Sequence, residues 1–345
     1  MKSALEIITK EPKYRLEQLY KAWFDPKNTE YGDISTFPLE LREKLKDIPW
    51  VSVKQKIMEK SREDGTIKVL LELADGSEIE TVLMGREKKG KENELRHTIC
   101  ISSQVGCGMG CIFCATGKLG FKRNLEIMEI IDQFRFWQNY LAESNGGTVD
   151  NIVVMGQGEP LLNYENIKTA LSIILKNTQI GPSKITLSTV GIRSGMEKIL
   201  LDADFPPVRI AISLHSAIPE TRKKIVPSHQ EEFLKFLPDW AKKYHEKFGS
   251  RAHFISLEYT MLANINDDEK HLKVLIGLAS KMGNMRINLI PWNELLGNPN
   301  IVGTKQEDIK DWQKKITNKG FICTVRHSQG TDISAACGQL ANKMK

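Results

Sequence analysis

No stretch of this 345-residue chain approaches the ~18 consecutive apolar residues that cross a bilayer, and Glu6 interrupts any signal-peptide core within the first ten residues. No membrane partner is expected, and the cytoplasm is the expected address. Cysteine is scarce: six residues cannot staple a chain of this size through disulfides. Internal repeats and low-complexity tracts are missing too, which excludes solenoid and collagenous architectures. Nor does one sign of charge dominate, since 49 Lys and Arg against 43 Asp and Glu leave +6. That balance permits a polyanionic partner without demanding one.

What remains is an ordinary globular composition, 41% hydrophobic and 27% charged. It supports a sizeable core and about two domains. The positive surplus is uneven: residues 1–95 carry net −1 and residues 96–345 net +7. Tyr14, Leu16, Leu19, Tyr20 and Trp23 recur at three- and four-residue steps, and Leu39, Leu41 and Leu45 follow Pro38. This spacing predicts a small helical module over residues 1–50. Residues 51–95 read as a small β region with a hairpin turn at Asp75-Gly76, ending in a highly charged linker from Arg86 to Arg96. Residues 96–345 then form the third expected unit. Its strands fall near Thr98–Ser102, Asn151–Met155, Lys184–Ser188, Val208–Leu214, Phe254–Tyr259 and Arg286–Ile290, with helical stretches between them. Such alternation predicts an α/β fold with parallel strands, an open barrel or a doubly wound sheet, whose chemistry sits at strand C-terminal ends.

Four of the six cysteines crowd into fifteen residues, Cys100 to Cys114. Cys107, Cys111 and Cys114 form a Cys-x3-Cys-x2-Cys loop, read as following a strand and preceding a helix. Three thiolates on one loop can ligate three irons of a cubane and leave the fourth iron open. A structural zinc site or buried free thiols are the alternatives, although zinc knuckles pair two Cys-x2-Cys units and no second unit occurs here. A second motif, Gly156-Gln157-Gly158-Glu159-Pro160, follows an apolar strand. A dinucleotide fingerprint would need a third glycine where Pro160 stands.

The cysteine loop resembles the signature of radical S-adenosylmethionine (SAM) enzymes, which implies a partial (β/α)6 barrel, one [4Fe-4S] cluster held by Cys107, Cys111 and Cys114, and SAM on the open iron. Beyond it, Cys100-Ile-Ser-Ser-Gln-Val-Gly-Cys107, Met155 to Asn163, Ser213-Leu214-His215, Asn288 to Asn293 and Asp332 to Leu340 resemble the RNA adenine carbon-2 methyltransferases. The likeness runs from Tyr14 to Leu340. It implies 23S ribosomal RNA, before full ribosome assembly, and tRNA as substrates, with a reducing electron donor and the N-terminal helices as an RNA-docking accessory domain.

The same resemblance assigns roles. Two SAM molecules serve each turnover: one methylates Cys337, and the other yields a radical that takes hydrogen from that methyl group. The carbon radical adds to adenine, Glu80 matches the base that removes the carbon-2 proton, and Cys100 matches the thiol that attacks the Cys337 sulfur and leaves a disulfide. Gly158 and Glu159 match residues that hold the SAM amino-acid end, while Ser188, Ser213, Leu214, His215 and Asn293 match its other contacts. Read without the resemblance, Glu80 is a solvated strand carboxylate and Cys100 a core thiol. Cys323 matches no functional position and is assigned to packing. Basic residues Lys118, Lys122 and Arg123, and then Arg222, Lys223 and Lys224, are candidates for phosphate contact. A carbon-8 methyltransferase of the antibiotic-resistance sister group and a non-catalytic, zinc-stabilised RNA-binding protein are the alternatives. A monomer is expected.

Overall fold

The computed structural model describes residues 4–25, 27–88, 90–145, 147–249, 253–295 and 300–341. Its strands are β1 (Val53–Lys60), β2 (Ile67–Leu73), β3 (Glu78–Lys88), β4 (Lys91–Cys100), β5 (Gln104–Cys107), β6 (Gly120–Asn124), β7 (Asn151–Val154), β8 (Ile185–Thr189), β9 (Arg209–Ser213), β10 (Ile255–Met261), β11 (Met285–Pro291) and β12 (Ile322–Val325). Ten of them form one sheet in the order β1-β2-β3-β4-β7-β8-β9-β10-β11-β12. Pairing is antiparallel from β1 to β4 and parallel from β4 to β12. The linear order makes it an open barrel.

Burial explains the apolar runs. All seven residues of β10 are buried, as expected for a strand covered on both faces. Outside the sheet, the helix Phe233–Phe248 buries Phe233, Leu234, Leu237, Trp240, Ala241 and Tyr244, one stripe at helical spacing. The N-terminal helices Ala4–Ile8, Lys13–Trp23 and Leu39–Leu45 share this core. They are fastened by Arg135, which donates to the Trp23 and Trp50 carbonyls at 3.0 and 2.9 Å, stacks on the Trp50 ring and pairs with buried Asp132.

Three expectations need correction. The charged stretch from Arg86 to Arg96 is not a linker: its two sides are the arms of the β3–β4 hairpin, and the 51–95 strands extend the barrel sheet itself. Charge misled there because these arms run past their neighbours: β2 pairs with β3 only as far as Leu83 and β7 with β4 only from Thr98, which leaves Arg86, Glu87, Glu94 and Arg96 exposed. A seventh parallel strand, β12, joins the six expected. The cysteine loop does not run directly from a barrel strand to a helix; it hangs inside a separate hairpin, β5–β6. That hairpin closes tightly because Gly106, at φ +71°, lies where a Cβ would come within 1.9 Å of the Gly120 carbonyl oxygen.

The segment 326–341 crosses the mouth of the barrel as a strap. One side is held by the Arg62 amide on Asp332 (3.0 Å) and the Gly330 amide on Asp64 (2.8 Å). On the other, the Ala115 amide donates to the Gly338 carbonyl (2.6 Å) and the Asn293 side chain to the Cys337 carbonyl (3.0 Å). The strap thus joins the N-terminal strands to the cysteine loop.

Candidate active site

One cavity opens at the C-terminal ends of β7 to β11. Cys107, Cys111, Cys114, Gly158, Glu159, Ser188, Ser213, His215, Asn293 and Cys337 all line it. Its empty volume, mouth included, is ≈ 990 Å³, at the upper end of the roughly 300–1,000 Å³ range of small-molecule sites. Residues separated by more than 200 positions in sequence meet here.

Each wall has a local cause. Glu159 caps a short 3-10 turn, accepting from the Leu161 amide (3.0 Å) through one oxygen and the Val190 amide (2.8 Å) through the other. Burial pushes its carboxyl up to about 7 despite those donors. Gly158, at φ +105°, sits where a Cβ would come within 2.6 Å of Ser103 and Gln104, so the chain can pass only as glycine. Gln157, between the two glycines, is fully buried and absent from the cavity wall. Ser188 and Ser213 touch through their hydroxyls at 3.2 Å.

His215 has φ +54°, and its Nδ1 accepts from the Thr260 amide at 3.1 Å. Burial, helped by nearby Arg222, lowers its pKa to about 3. A folded-state value far below the free one means that the native state refuses a proton the unfolded chain accepts. The resulting stability is complete above pH ~6.5 and is lost as pH falls toward 3. His215→Asn, whose side chain tolerates positive φ, is expected to lose less stability between pH 7 and pH 4 than the parent protein does. Urea midpoints at the two pH values measure this, and equal losses would count against it.

The three loop cysteines suit an iron-sulfur cubane by donor chemistry. Burial raises the Cys107 thiol to about 11 and raises Cys111 too, with neighbouring thiols adding to both, so a cationic centre would relieve these two. Among the described residues no three His, Cys, Asp or Glu side chains stand close enough to share a single metal ion. A cubane offers each thiolate its own iron and so accepts wider spacing. The Phe113 ring packs on His215 at 4.4 Å, and the Phe113 carbonyl accepts from the Trp292 indole at 3.2 Å, fixing the loop over the cavity.

Cys337 is exposed, and its exposure is to this cavity. Protein surrounds it otherwise, so burial raises its pKa while Arg326 opposes the shift. Three sequence candidates lie elsewhere. Cys100 is buried beneath the strap, packed with Val82, Ala335 and Leu340. Leu214 is fully buried, and its backbone rather than its side chain faces polar partners, including the Glu258 carbonyl at 3.0 Å. Glu80 is 0% exposed, not a solvated strand carboxylate; it pairs with buried Lys68 at 3.2 Å. All six cysteines are free, so the Cys100–Cys337 disulfide implied by resemblance is not formed in this structure.

Other residues were missed. Glu258 and Arg326 line the cavity and pair at 3.2 Å, with Asn288 and Ser256 also donating to Glu258. A lone carboxylate inside the apolar run Phe254–Tyr259 was the available signal. Of the basic candidates, Arg222 is 1% exposed and occupied: it donates to the Leu214 carbonyl, contacts His229 at 2.7 Å and stacks on Phe233. It is a strut for the strand ends, not a phosphate ligand. Arg123 is bound to Glu129 and Asp75, whereas Lys118, Lys223 and Lys224 remain exposed.

Comparison with known proteins agrees with this geometry. The radical SAM superfamily model matches residues 101–275. A probable dual-specificity RNA methyltransferase RlmN from Dictyoglomus thermophilum is 39% identical over 96% of this chain and 91% of its own length. The chain belongs to the RlmN family of radical SAM RNA methyltransferases. A second family member, the ribosomal RNA large subunit methyltransferase N of Nitrosopumilus maritimus, is 36% identical over 95% of this chain and 92% of its own. A radical SAM methyltransferase from Sphaerobacter thermophilus superimposes with TM-score 0.86 and 31% identity, covering 98% of this chain and 96% of that one. Membership in the family implies SAM and a [4Fe-4S] cluster in general.

Proposed function

We propose that this chain methylates carbon 2 of an adenosine in 23S ribosomal RNA, and of one beside the tRNA anticodon, through a one-carbon unit carried on Cys337. The observation that supports it most is the shared cavity: the sulfur of Cys337 and the three cluster cysteines line one wall system although 223 positions separate Cys337 from Cys114 in the numbering. The printed names of the relatives, a dual-specificity RNA methyltransferase and a large-subunit ribosomal RNA methyltransferase, support the substrate class.

Cluster and SAM, when bound, supply the methyl group and a 5′-deoxyadenosyl radical. Cys107, Cys111 and Cys114 would hold the cluster. Gly158 and Glu159 would hold the amino-acid end of SAM, and Ser188, Ser213, His215 and Asn293 would line the rest, with Leu214 shaping the wall from behind. Cys337 would carry the carbon to the base. Glu80 would take the carbon-2 proton, and Cys100, packed under the strap, would attack the Cys337 sulfur to release product and leave a disulfide for reduction. Residues 1–50 would serve as a docking module, and exposed Lys118, Lys223 and Lys224 would meet phosphates beside the cavity.

Mass spectrometry of ribosomal and transfer RNA from a deletion strain tests this reading. Loss of 2-methyladenosine from both is expected. Loss of 8-methyladenosine would reassign the position, and unchanged RNA with one zinc in the purified protein would overturn catalysis altogether.

A further inference from the structure

A buried line of charge crosses β1, β2 and β3 and ends on Glu80. Lys68 faces Glu59 directly in the β1–β2 register and Glu80 diagonally in β2–β3. Its Nζ lies 3.6 Å from Glu59 and 3.2 Å from Glu80. The three side chains are graded toward water: Glu80 is 0% exposed, Lys68 1% and Glu59 15%. The ammonium also approaches the Ser334 carbonyl of the strap, three residues before Cys337, at 3.5 Å.

A base sealed from solvent works once unless its proton can leave. We propose that Glu80, Lys68 and Glu59 form a proton exit, through which the hydrogen removed from the RNA base reaches water. This rests on Glu80 being the base. When the carbon–hydrogen bond breaks, its electron pair stays on the base and the proton goes to the Glu80 carboxylate. Lys68 then passes one of its protons to Glu59 and receives the Glu80 proton in the same step, ending as the ammonium it began as. Glu59 releases the proton to solvent. Nothing is oxidised or reduced, and lysine's flexible stem closes the longer gap. Lys68 and Glu59 act through Glu80 and not on the RNA base, so they are positioning residues; Glu80, like them, lies behind the residues that line the cavity.

Two variants separate a relay from a simple ion pair. Lys68→Arg keeps the charge, but a guanidinium does not deprotonate in proteins and cannot pass a proton on. Glu59→Gln removes the exit at its solvent end. With full-length, cluster-loaded protein and RNA substrate, both are expected to slow resolution of the covalent RNA–Cys337 adduct about tenfold or more. Methylation of Cys337, read by mass spectrometry of the protein alone, should stay at parental stoichiometry and so certifies the fold. Resolution at the parental rate by either variant overturns the relay. Glu80→Gln is the separate control: parental resolution there removes Glu80 as the base, whereas a stalled Glu80→Gln beside a normal Lys68→Arg removes only the exit.

Discussion

Cys337→Ala is expected to abolish RNA methylation, a loss of about 10⁶-fold or more, while leaving iron content unchanged. On the proposed reading the acceptor is carbon 2 of adenine, an electron-poor position without a lone pair, so direct polar transfer from SAM is closed to it. The carbon must arrive by another carrier, and the Cys337 sulfur is the thiol in the cavity that is not assigned to the cluster. Without it the reaction falls back toward the uncatalysed rate, and enzymes exceed that rate by roughly 10⁶-fold at the least. The backbone contacts of the strap do not involve the thiol: the Cys337 carbonyl accepts from Asn293 and the Gly338 carbonyl from Ala115. The variant should therefore fold with its cluster. Iron analysis and mass spectrometry of digested RNA read both halves, and methylated RNA at more than a trace would remove Cys337 from the reaction.

The second large effect has the opposite signature. Cys100→Ala is expected to form the bond to RNA and then fail to break it, so that protein accumulates as an RNA adduct. Cys100 lies in the small cluster that includes Ala335 and Leu340, on either side of Cys337 in the strap. Its burial raises the thiol pKa, with the Cys337 thiol adding to the rise, so the two sulfurs feel each other. Losing one sulfur from this packing costs about 1 kcal/mol, within the ordinary range for single substitutions. A denaturing gel that retains RNA on the protein is the measurement. Cys323→Ala is its control, because Cys323 sits on β12 away from the cavity wall and should turn over normally. Full turnover by Cys100→Ala would exclude the thiol from product release.

Much of the fold was legible residue by residue. The six strand runs from His97 onward appear as β4, β7, β8, β9, β10 and β11, since buried Ile, Val and Leu recur at every second position in β7, β8 and β11, and burial is complete along β10, so these runs stand out against their surroundings. Short β12 was harder, with exposed Ile322 and Thr324 alternating with buried Cys323 at the sheet edge. The hairpin arms from Arg86 to Arg96 were illegible for a related reason. Their charge describes contact with water, which a linker and a hairpin arm share.

The site divides in the same way. Cys107, Cys111, Cys114, Gly158 and Glu159 carry their signal locally, because tight loops need particular residue types at fixed spacing. Arg222 shows the limit. In sequence it belongs to a basic run with Lys223 and Lys224, yet a helical turn points it inward to three carbonyls while its neighbours face out. Glu80 and Glu258 carry a similar ambiguity, since a single carboxylate in a strand reads alike whether its face meets solvent or Lys68 and Arg326.

By itself the sequence determined the globular composition, the parallel α/β pattern and the three-thiol loop, since these follow from residue content, hydrophobic period and local spacing. Only the tertiary structure decided that the strap brings Cys337 over that loop, that Cys100 lies beneath it, and that Glu80, Lys68 and Glu59 make a buried line. Those depend on which strands become neighbours and which face turns inward, and a one-residue change of register would reverse the facing without altering the composition at all.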